Sequence, residues 1–319
     1  MAEIYVIRPV AAGLATYVPG LYPLLRKGTG GTDSASYCYG VWLKHLTLAW
    51  SNGLRQIPHT VAELGPGDSL GIGLAALLSG ASRYYAFDVI TYARTDRNVR
   101  VFDELVALFR RQAGMADGDG WPTIAPYLDA NGFPSHILTR ERLQQALREE
   151  RVVAIRQALQ GLDGGKSAGI EVRYVAPWHQ SDELQKESVD LILSHAVLEH
   201  IEDLPTAYRA MHSWLKPRGF MSHQIDFRCH GLAAAWNGHW AYSDFVWRLI
   251  KGNRPYLLNR QPHSVHVRLL QQVGFRILCD LQKLESGGLR QERLAPRWRQ
   301  LADADVACSG AFIQASRPG

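Results

Sequence analysis

Cysteine is scarce in this sequence, and long hydrophobic runs are missing. Four cysteines, Cys38, Cys229, Cys279 and Cys308, are spread over 319 residues without a C-x-x-C pair. That spacing argues against a disulfide framework or a zinc knuckle and predicts reduced, mostly buried thiols. From Pro9 to Leu25 the chain is uncharged and fairly apolar, but Pro9, Gly13, Pro19, Gly20 and Pro23 interrupt it. A membrane helix of roughly 20 residues does not form from such a stretch, so no integral membrane segment is expected. A basic start followed by a compact apolar core is also missing, so a signal peptide is not expected. Nor is there a fixed-period repeat or a long low-complexity segment. With 35 basic and 30 acidic residues, the net charge of +5 is small for a nucleic-acid binder. What is present is ordinary for a folded chain: 46% hydrophobic and 20% charged residues exclude intrinsic disorder. The expectation is a cytoplasmic, soluble protein with no nucleic-acid partner.

The charge is uneven. Lys251 to Arg299 holds 10 basic and 3 acidic residues, whereas the remainder holds 25 and 27. This segment either meets an anionic group or forms a solvated face.

Alternating strand and helix signals organise the chain. Residues 34–52 fit an amphipathic helix roughly and suggest a helical cap. His59 to Leu64 reads as a strand ending in Gly65-Pro66-Gly67. A helix follows, with Asp68 or Ser69 as its cap and Gly80 as its stop, and Arg83 to Val89 is a second strand. This βαβ start predicts a parallel sheet. Asn98 to Gln112 reads as a helix, Gly114 to Pro134 as a loop, and Thr139 to Gly161 as a second long helix released at Gly164-Gly165. Strands are then expected at 170–176, 189–196, 220–227, 275–281 and 311–315, with helices at 204–215 and 267–273. The total is about seven strands, mostly parallel.

The strand-to-helix turn Glu63-Leu64-Gly65-Pro66-Gly67 is where a ligand can approach the backbone. Asp88 ends the second strand, 23 residues after Gly65, where an acid can accept both hydroxyls of a ribose. Together they describe an adenosine-type site. The dinucleotide pattern G-x-G-x-x-G fails by one residue, because the third glycine is Gly71 and position 70 is Leu. Glu63 would repel a pyrophosphate but suits the ammonium of a methionine moiety.

This E-x-G-x-G turn resembles motif I of class I S-adenosylmethionine-dependent methyltransferases. Asp190 to Ser194 followed by Val197-Leu198-Glu199-His200 resembles the fourth strand of that superfamily's small-molecule branch. Trp214-Leu215-Lys216-Pro217-Arg218-Gly219 resembles the turn into strand five, with Arg218 where a second glycine is more usual. The resemblance spans about residues 59–227 in the family's order. It implies an α/β fold: a Rossmann-like class I methyltransferase sheet with an N-terminal helical cap (1–55) and a methyltransferase domain (56–319). That domain would carry a helical insertion at 96–168 and an aromatic, His-rich one at 228–266. The resemblance further implies S-adenosyl-L-methionine as cofactor, contacted by Glu63, Gly65, Gly67, Asp68, Asp88, Trp178 and His195. Trp178 would stack on the adenine or pack in the core.

A hydroxyl acceptor needs a base as well as in-line positioning. Enzymes of this resemblance often use a histidine and an acid after strands four and five. The expected catalytic group is therefore His200 as base, oriented by Asp226, with His230 nearby; alternatively His200 only packs the following helix. Eight of the twelve histidines lie between His195 and His266, mixed with Trp236, Trp240, Tyr242 and Trp247. Such a segment could stack a sugar ring, hold a metal or form a packed cap. His223, Asp226 and His230 do not have a recognised ligand spacing, so no metal is expected.

The chain, including the stretch Trp236-Asn-Gly-His-Trp240 and Asn259-Arg260, resembles bacterial methyltransferases of polysaccharide-type clusters, which implies O-methylation of a sugar, glycan or small metabolite. The chain could also form a homodimer. The alternatives are an NAD-dependent oxidoreductase and a non-catalytic adenosyl-binding regulatory module. Adenine methylation in nucleic acid would place N/D-P-P-Y where this chain reads Ser194-His195-Ala196-Val197, and base C5 chemistry would need a cysteine there.

Overall fold

A computed structural model of the chain describes residues 2–18, 31–115, 120–161, 165–178, 182–254 and 256–319. Parts of the expected Pro9–Leu25 and Gly114–Pro134 stretches, and Gly164, lie outside the described residues. Two helices come first, α1 (Ala2–Ala15) and α2 (Ala35–Ser51). The expected βαβ start follows as β1 (Thr60–Leu64), α3 (Gly71–Leu78) and β2 (Arg83–Phe87). Next come α4 (Thr95–Arg110), α5 (Arg140–Ala146), α6 (Glu149–Leu159), β3 (Gly165–Ser167) and β4 (Ile170–Val175). The rest reads β5 (Val189–His195), α7 (Leu204–Trp214), β6 (Leu215–Asp226), α8 (Asp244–Lys251) and α9 (His263–Val273). It closes with β7 (Arg276–Leu284), α10 (Asp303–Ala307) and β8 (Cys308–Ser316).

The strands form one sheet in the order β3-β4-β2-β1-β5-β6-β8-β7. Strands β4, β2, β1, β5 and β6 run parallel, and β8 is antiparallel to both β6 and β7. The parallel centre and its short βαβ links are what the alternating sequence predicts. The strand beyond the expected seven is β3, a three-residue edge strand paired with β4. It is too short to leave a period-two signal. Helices cover both faces. Val61, Tyr84, Ala86, Leu191 and Leu193 pack under α2 to α6, while Ala62, Phe87, Ile192 and Met221 pack under α7 and α9.

The weak amphipathicity of 34–52 has a physical cause. Helix α2 is capped by Ser34 and buried around its circumference from Cys38 to Ala49, so it has no polar face to show. Trp42 is fully buried and its indole N–H donates to Ser79 Oγ at 2.7 Å. Two other expectations are corrected. Neither Asp68 nor Ser69 caps α3: Leu70 holds the cap position, and its N–H is taken by Asn98 Oδ1 at 2.9 Å. The helix expected from 139 to 161 is two, because Arg148 is extended and Glu149 and Glu150 start a new first turn. Helix α1, within the stretch expected to form a helical cap, accommodates Pro9. Gly13 lets it cross α8 closely: a Cβ there would sit 1.9 Å from the Leu249 carbonyl oxygen. No helix among the described residues is long and apolar enough to cross a membrane.

If α2 is part of the core, Trp42→Ala should destabilise the fold by about 3–5 kcal/mol. Urea unfolding would measure this, and a loss below about 1 kcal/mol would contradict the burial.

Candidate functional site

The Gly-rich turn leaves β1 in a conformation that only glycine adopts easily. Gly65 has φ +66° and Gly67 has φ +73°. A Cβ at Gly65 would lie 2.4 Å from Val197 Cγ2, so the turn also needs the space. Asp88 lies directly after β2 and is buried. It accepts from Gly67 N–H at 3.3 Å and from Val89 N–H at 2.7 Å. The expected pair of glycine turn and acid is thus in contact. Thr32, just before α2, closes the other side. Its hydroxyl accepts from the N–H groups of Asp68 and Ser69, at 2.9 and 3.4 Å. Asp68 also pairs with Arg97 at 3.3 Å. The amides a pyrophosphate would need are therefore engaged, with Leu70 on Asn98 and Gly71 on Ser69 Oγ. This arrangement disfavours a dinucleotide.

Glu63 is corrected in role. On β1 it shares a face with Val61, which turns it under α3, and it is 1% exposed. Tyr84 Oη donates to its carboxylate at 2.5 Å. Burial pushes its carboxyl up to about 8, so Glu63 supports the turn from beneath and cannot meet an ammonium ion. Trp178 follows β4, and its N–H donates to the Asp88 carbonyl at 2.8 Å. Its ring packs beside Phe87 and Trp214, at 5.8 and 5.6 Å between centroids. Trp178 is partly buried against that core cluster.

A cavity of about 540 Å³ opens beside the turn, at the carboxyl ends of β5 and β6. Its walls are α2 (Ser36, Tyr37, Gly40, Val41, Lys44), Trp121, His195 and Ala196, Gln224 to Asp226, Arg228, and Lys283 with Ser309 and Gly310 from the β7–β8 end. His195 is therefore where ligands meet such a sheet. Its Nδ1 lies 3.2 Å from His45 Nε2, and burial pushes its basicity down to about 3. Sequence reasoning missed the whole α2 contribution, because Tyr37, Lys44 and His45 sit in a segment with no motif.

The expected catalytic trio is only partly assembled. Asp226 lines the cavity, but its carboxylate is held by Arg228 (2.6 Å) and by His230 Nε2 (3.3 Å), not by His200. Burial alone would raise its pKa; the hydrogen bonds from His230 and Arg228 outweigh that and hold it well below the usual range. His200 does not line the cavity. Its Nδ1 is buried without a hydrogen-bond partner among the described residues, and burial lowers the ring to about 4. The His200–Asp226 pairing is therefore corrected to His230–Asp226. His223 is buried with Nδ1 2.7 Å from Ser194 Oγ. Among the described residues, no group of three or more His, Cys, Asp or Glu is placed to hold a metal ion.

The aromatic segment is a packed cap. Trp240 joins Leu294 and Trp298, and Tyr242 and Trp247 join Ile250 and Leu258 with Val6 and Val10 of α1. Arg260 lies over Trp247 at 4.7 Å and bonds Asp244 at 2.7 Å. None of these rings lines the cavity. Its aromatic walls are Tyr37 and Trp121 instead.

Residues 138–222, from the start of α5 into β6, match the family described as "Methyltransferase domain". The strand order, with an antiparallel last strand inserted beside β6, agrees with it. The chain thus carries a methyltransferase domain on a Rossmann-like sheet. No curated protein matches the sequence. Among solved structures, the methyltransferase is similar to an S-adenosylmethionine-dependent methyltransferase of Mesorhizobium loti, at 14% identity and TM-score 0.41 over 90% of this chain and 100% of that one. It is also similar to one of Methanosarcina mazei, at 12% identity and TM-score 0.42 over 85% and 97%. A third is phosphoethanolamine N-methyltransferase 2 of Haemonchus contortus, solved with S-adenosyl-L-methionine, at 12% identity and TM-score 0.41 over 91% and 58%.

The residues at the turn fit that cofactor. The positive φ of Gly65 and Gly67 suits glycine alone, and the Asp88 carboxylate lies against the Gly67 N–H at the end of β2, where ligands approach such a sheet. In the methyltransferase, Asp88→Ala should weaken S-adenosylhomocysteine binding by about 1–3 kcal/mol in calorimetry. Unchanged affinity would remove Asp88 from the site. Glu63 gives a pH signature. The folded protein keeps its proton to about pH 8, whereas the unfolded chain releases it near the ordinary glutamate value. The fold binds more protons in that window, so this contribution to stability is full below it and lost as pH rises to about 8. Glu63→Gln should flatten the fall in urea midpoint between about pH 5 and 8. A slope identical to the parent would mean that Glu63 is ionised in the fold.

Proposed function

We propose that the methyltransferase methylates a hydroxyl of a small, oxygen-rich acceptor, such as a sugar, a glycan end or a related metabolite. The observation that carries this reading is the 540 Å³ cavity, in which Tyr37 and Trp121 stand beside Gln224, Asp226 and Arg228. Its size suits one or two sugar rings, and aromatic faces beside polar groups suit their C–H faces and hydroxyls. Bound S-adenosylmethionine supplies a methyl group on a sulfonium, already activated for transfer. Gly65, Gly67 and Asp88 hold the cofactor at the sheet edge, and the cavity walls hold the acceptor beside it. Asp226 accepts the hydroxyl's hydrogen bond and orients its oxygen toward the methyl group, and the proton leaves to solvent after transfer. Arg228 and His230 keep that carboxylate ionised and in place until then. Four free thiols fit work in the reducing cytoplasm.

Calorimetric titration with S-adenosylhomocysteine and with NAD, followed by a labelled-methyl screen of sugars and glycans, tests this reading. The homocysteine analogue should bind and NAD should not. On any acceptor found, Asp226→Asn should slow turnover by about 10²–10⁴ without loss of S-adenosylhomocysteine affinity. His200→Ala should leave the rate within about threefold. A full loss in His200→Ala with an active Asp226→Asn would restore the assignment made from sequence.

A further inference from the structure

A chain of buried hydrogen bonds runs from β8 through α2 to the cavity wall. Asn52 Nδ2 donates to the Leu48 carbonyl at 2.8 Å and to Gln314 Oε1 at 3.0 Å. Gln314 Nε2 donates to the His45 carbonyl at 3.3 Å and to Ser222 Oγ at 2.8 Å. Backbone carbonyls only accept, so the orientation of both amides is fixed. Ser222 is fully buried, and its oxygen is already an acceptor from Gln314. Among the described residues, the partner left for its hydroxyl hydrogen is His45 Nδ1, at 2.7 Å. A buried hydroxyl donates where it can, so His45 Nδ1 accepts. Burial keeps both His45 and His195 neutral, and a neutral imidazole carries one N–H. The His45 hydrogen is then on Nε2 and is donated to His195 Nδ1 at 3.2 Å. The hydrogen of His195 is left on Nε2, on the ring edge away from His45.

We infer that His195 is a fixed hydrogen-bond donor of the acceptor cavity, not a base, and that it selects an acceptor carrying an anionic oxygen group beside the hydroxyl. The inference rests on the acceptor-cavity reading above. Among the described residues, Lys44, Arg228 and Lys283 line the cavity and Asp226 is the one carboxylate that does. That carboxylate is engaged by Arg228 and His230. The Lys44 ammonium acts on the His195 ring itself, disfavouring a second proton there. Lys283 also gives the basic 251–299 segment a point of contact with the site. A carboxylate or a phosphate oxygen would accept from His195 Nε2–H in a charge-assisted bond. His45 and Gln314 are positioning residues, since they act through His195.

The test uses nitrogen-15-labelled full-length protein and a long-range proton–nitrogen spectrum of the imidazoles, assigned with His195→Gln. Both His45 and His195 should show the Nε2–H tautomer, and an Nδ1–H tautomer on His195 would overturn the donor assignment. Lactate, inorganic phosphate and glycerol are then titrated separately. The His195 Nε2–H resonance should shift with an anion and not with glycerol. A response to lactate alone assigns a carboxylate and to phosphate alone a phosphate; an equal response to glycerol, or no response, overturns the anion selectivity. His195→Gln keeps an N–H near the same place and should hold the responding anion within about threefold, whereas His195→Leu should weaken it about tenfold or more. Equal affinity in His195→Leu would also overturn it. The tautomer does not depend on methyl transfer, so failure to bind S-adenosylhomocysteine would count against the cofactor site alone.

Discussion

Everything at the functional edge depends on the burial of α2 against the sheet and α3. A helix enclosed on all sides has no freedom to slide or roll, because interiors are close-packed. The residues leading into it bring Thr32 onto the glycine turn, and its first and middle turns bring Tyr37 and Lys44 to the cavity. Its far side places His45 between Ser222 and His195. One packing constraint therefore sets the cofactor turn and the acceptor wall together. The N-terminal segment is a structural half of the site rather than a separable lid.

The sheet was legible because buried parallel strands leave apolar runs, and because strand-to-helix turns leave glycine. Gly65, Gly67 and Asp88 could be read as one site since the turn geometry admits few other residues. Side-chain direction was harder. Glu63 stands where an acid of the motif belongs, yet strand parity turns it under α3. His200 has the right residue type in the right place, but its ring is enclosed, and Asp226 finds Arg228 and His230 instead. The aromatic segment looked like a sugar platform because stacking faces and core faces use the same residues. The α2 residues left no local signal at all: Ser222 and Gln314 lie 177 and 269 positions from His45 and meet it only in three dimensions.

The site divides its chemistry by charge state. Beneath the glycine turn, burial keeps Glu63 protonated, so no second negative charge stands beside Asp88. In the cavity the opposite holds: hydrogen bonds from Arg228 and His230 keep Asp226 ionised, while burial disfavours a second proton on His195 and His200. A carboxylate in this setting is ready to accept a hydrogen bond at ordinary pH, and neutral rings beside it do not neutralise it. Environment, more than residue identity, assigns these roles.

The strand β8 has a consequence for how the molecule is made. It is buried along its whole length between β6 and β7, so the sheet has a gap until this late segment has been synthesised. Gln314 lies on that strand and anchors the hydrogen-bond chain reaching His195. The glycine turn and its acid come from β1 and β2 and are complete much earlier in the chain. During synthesis, the cofactor turn can therefore form while the acceptor wall is still unfinished.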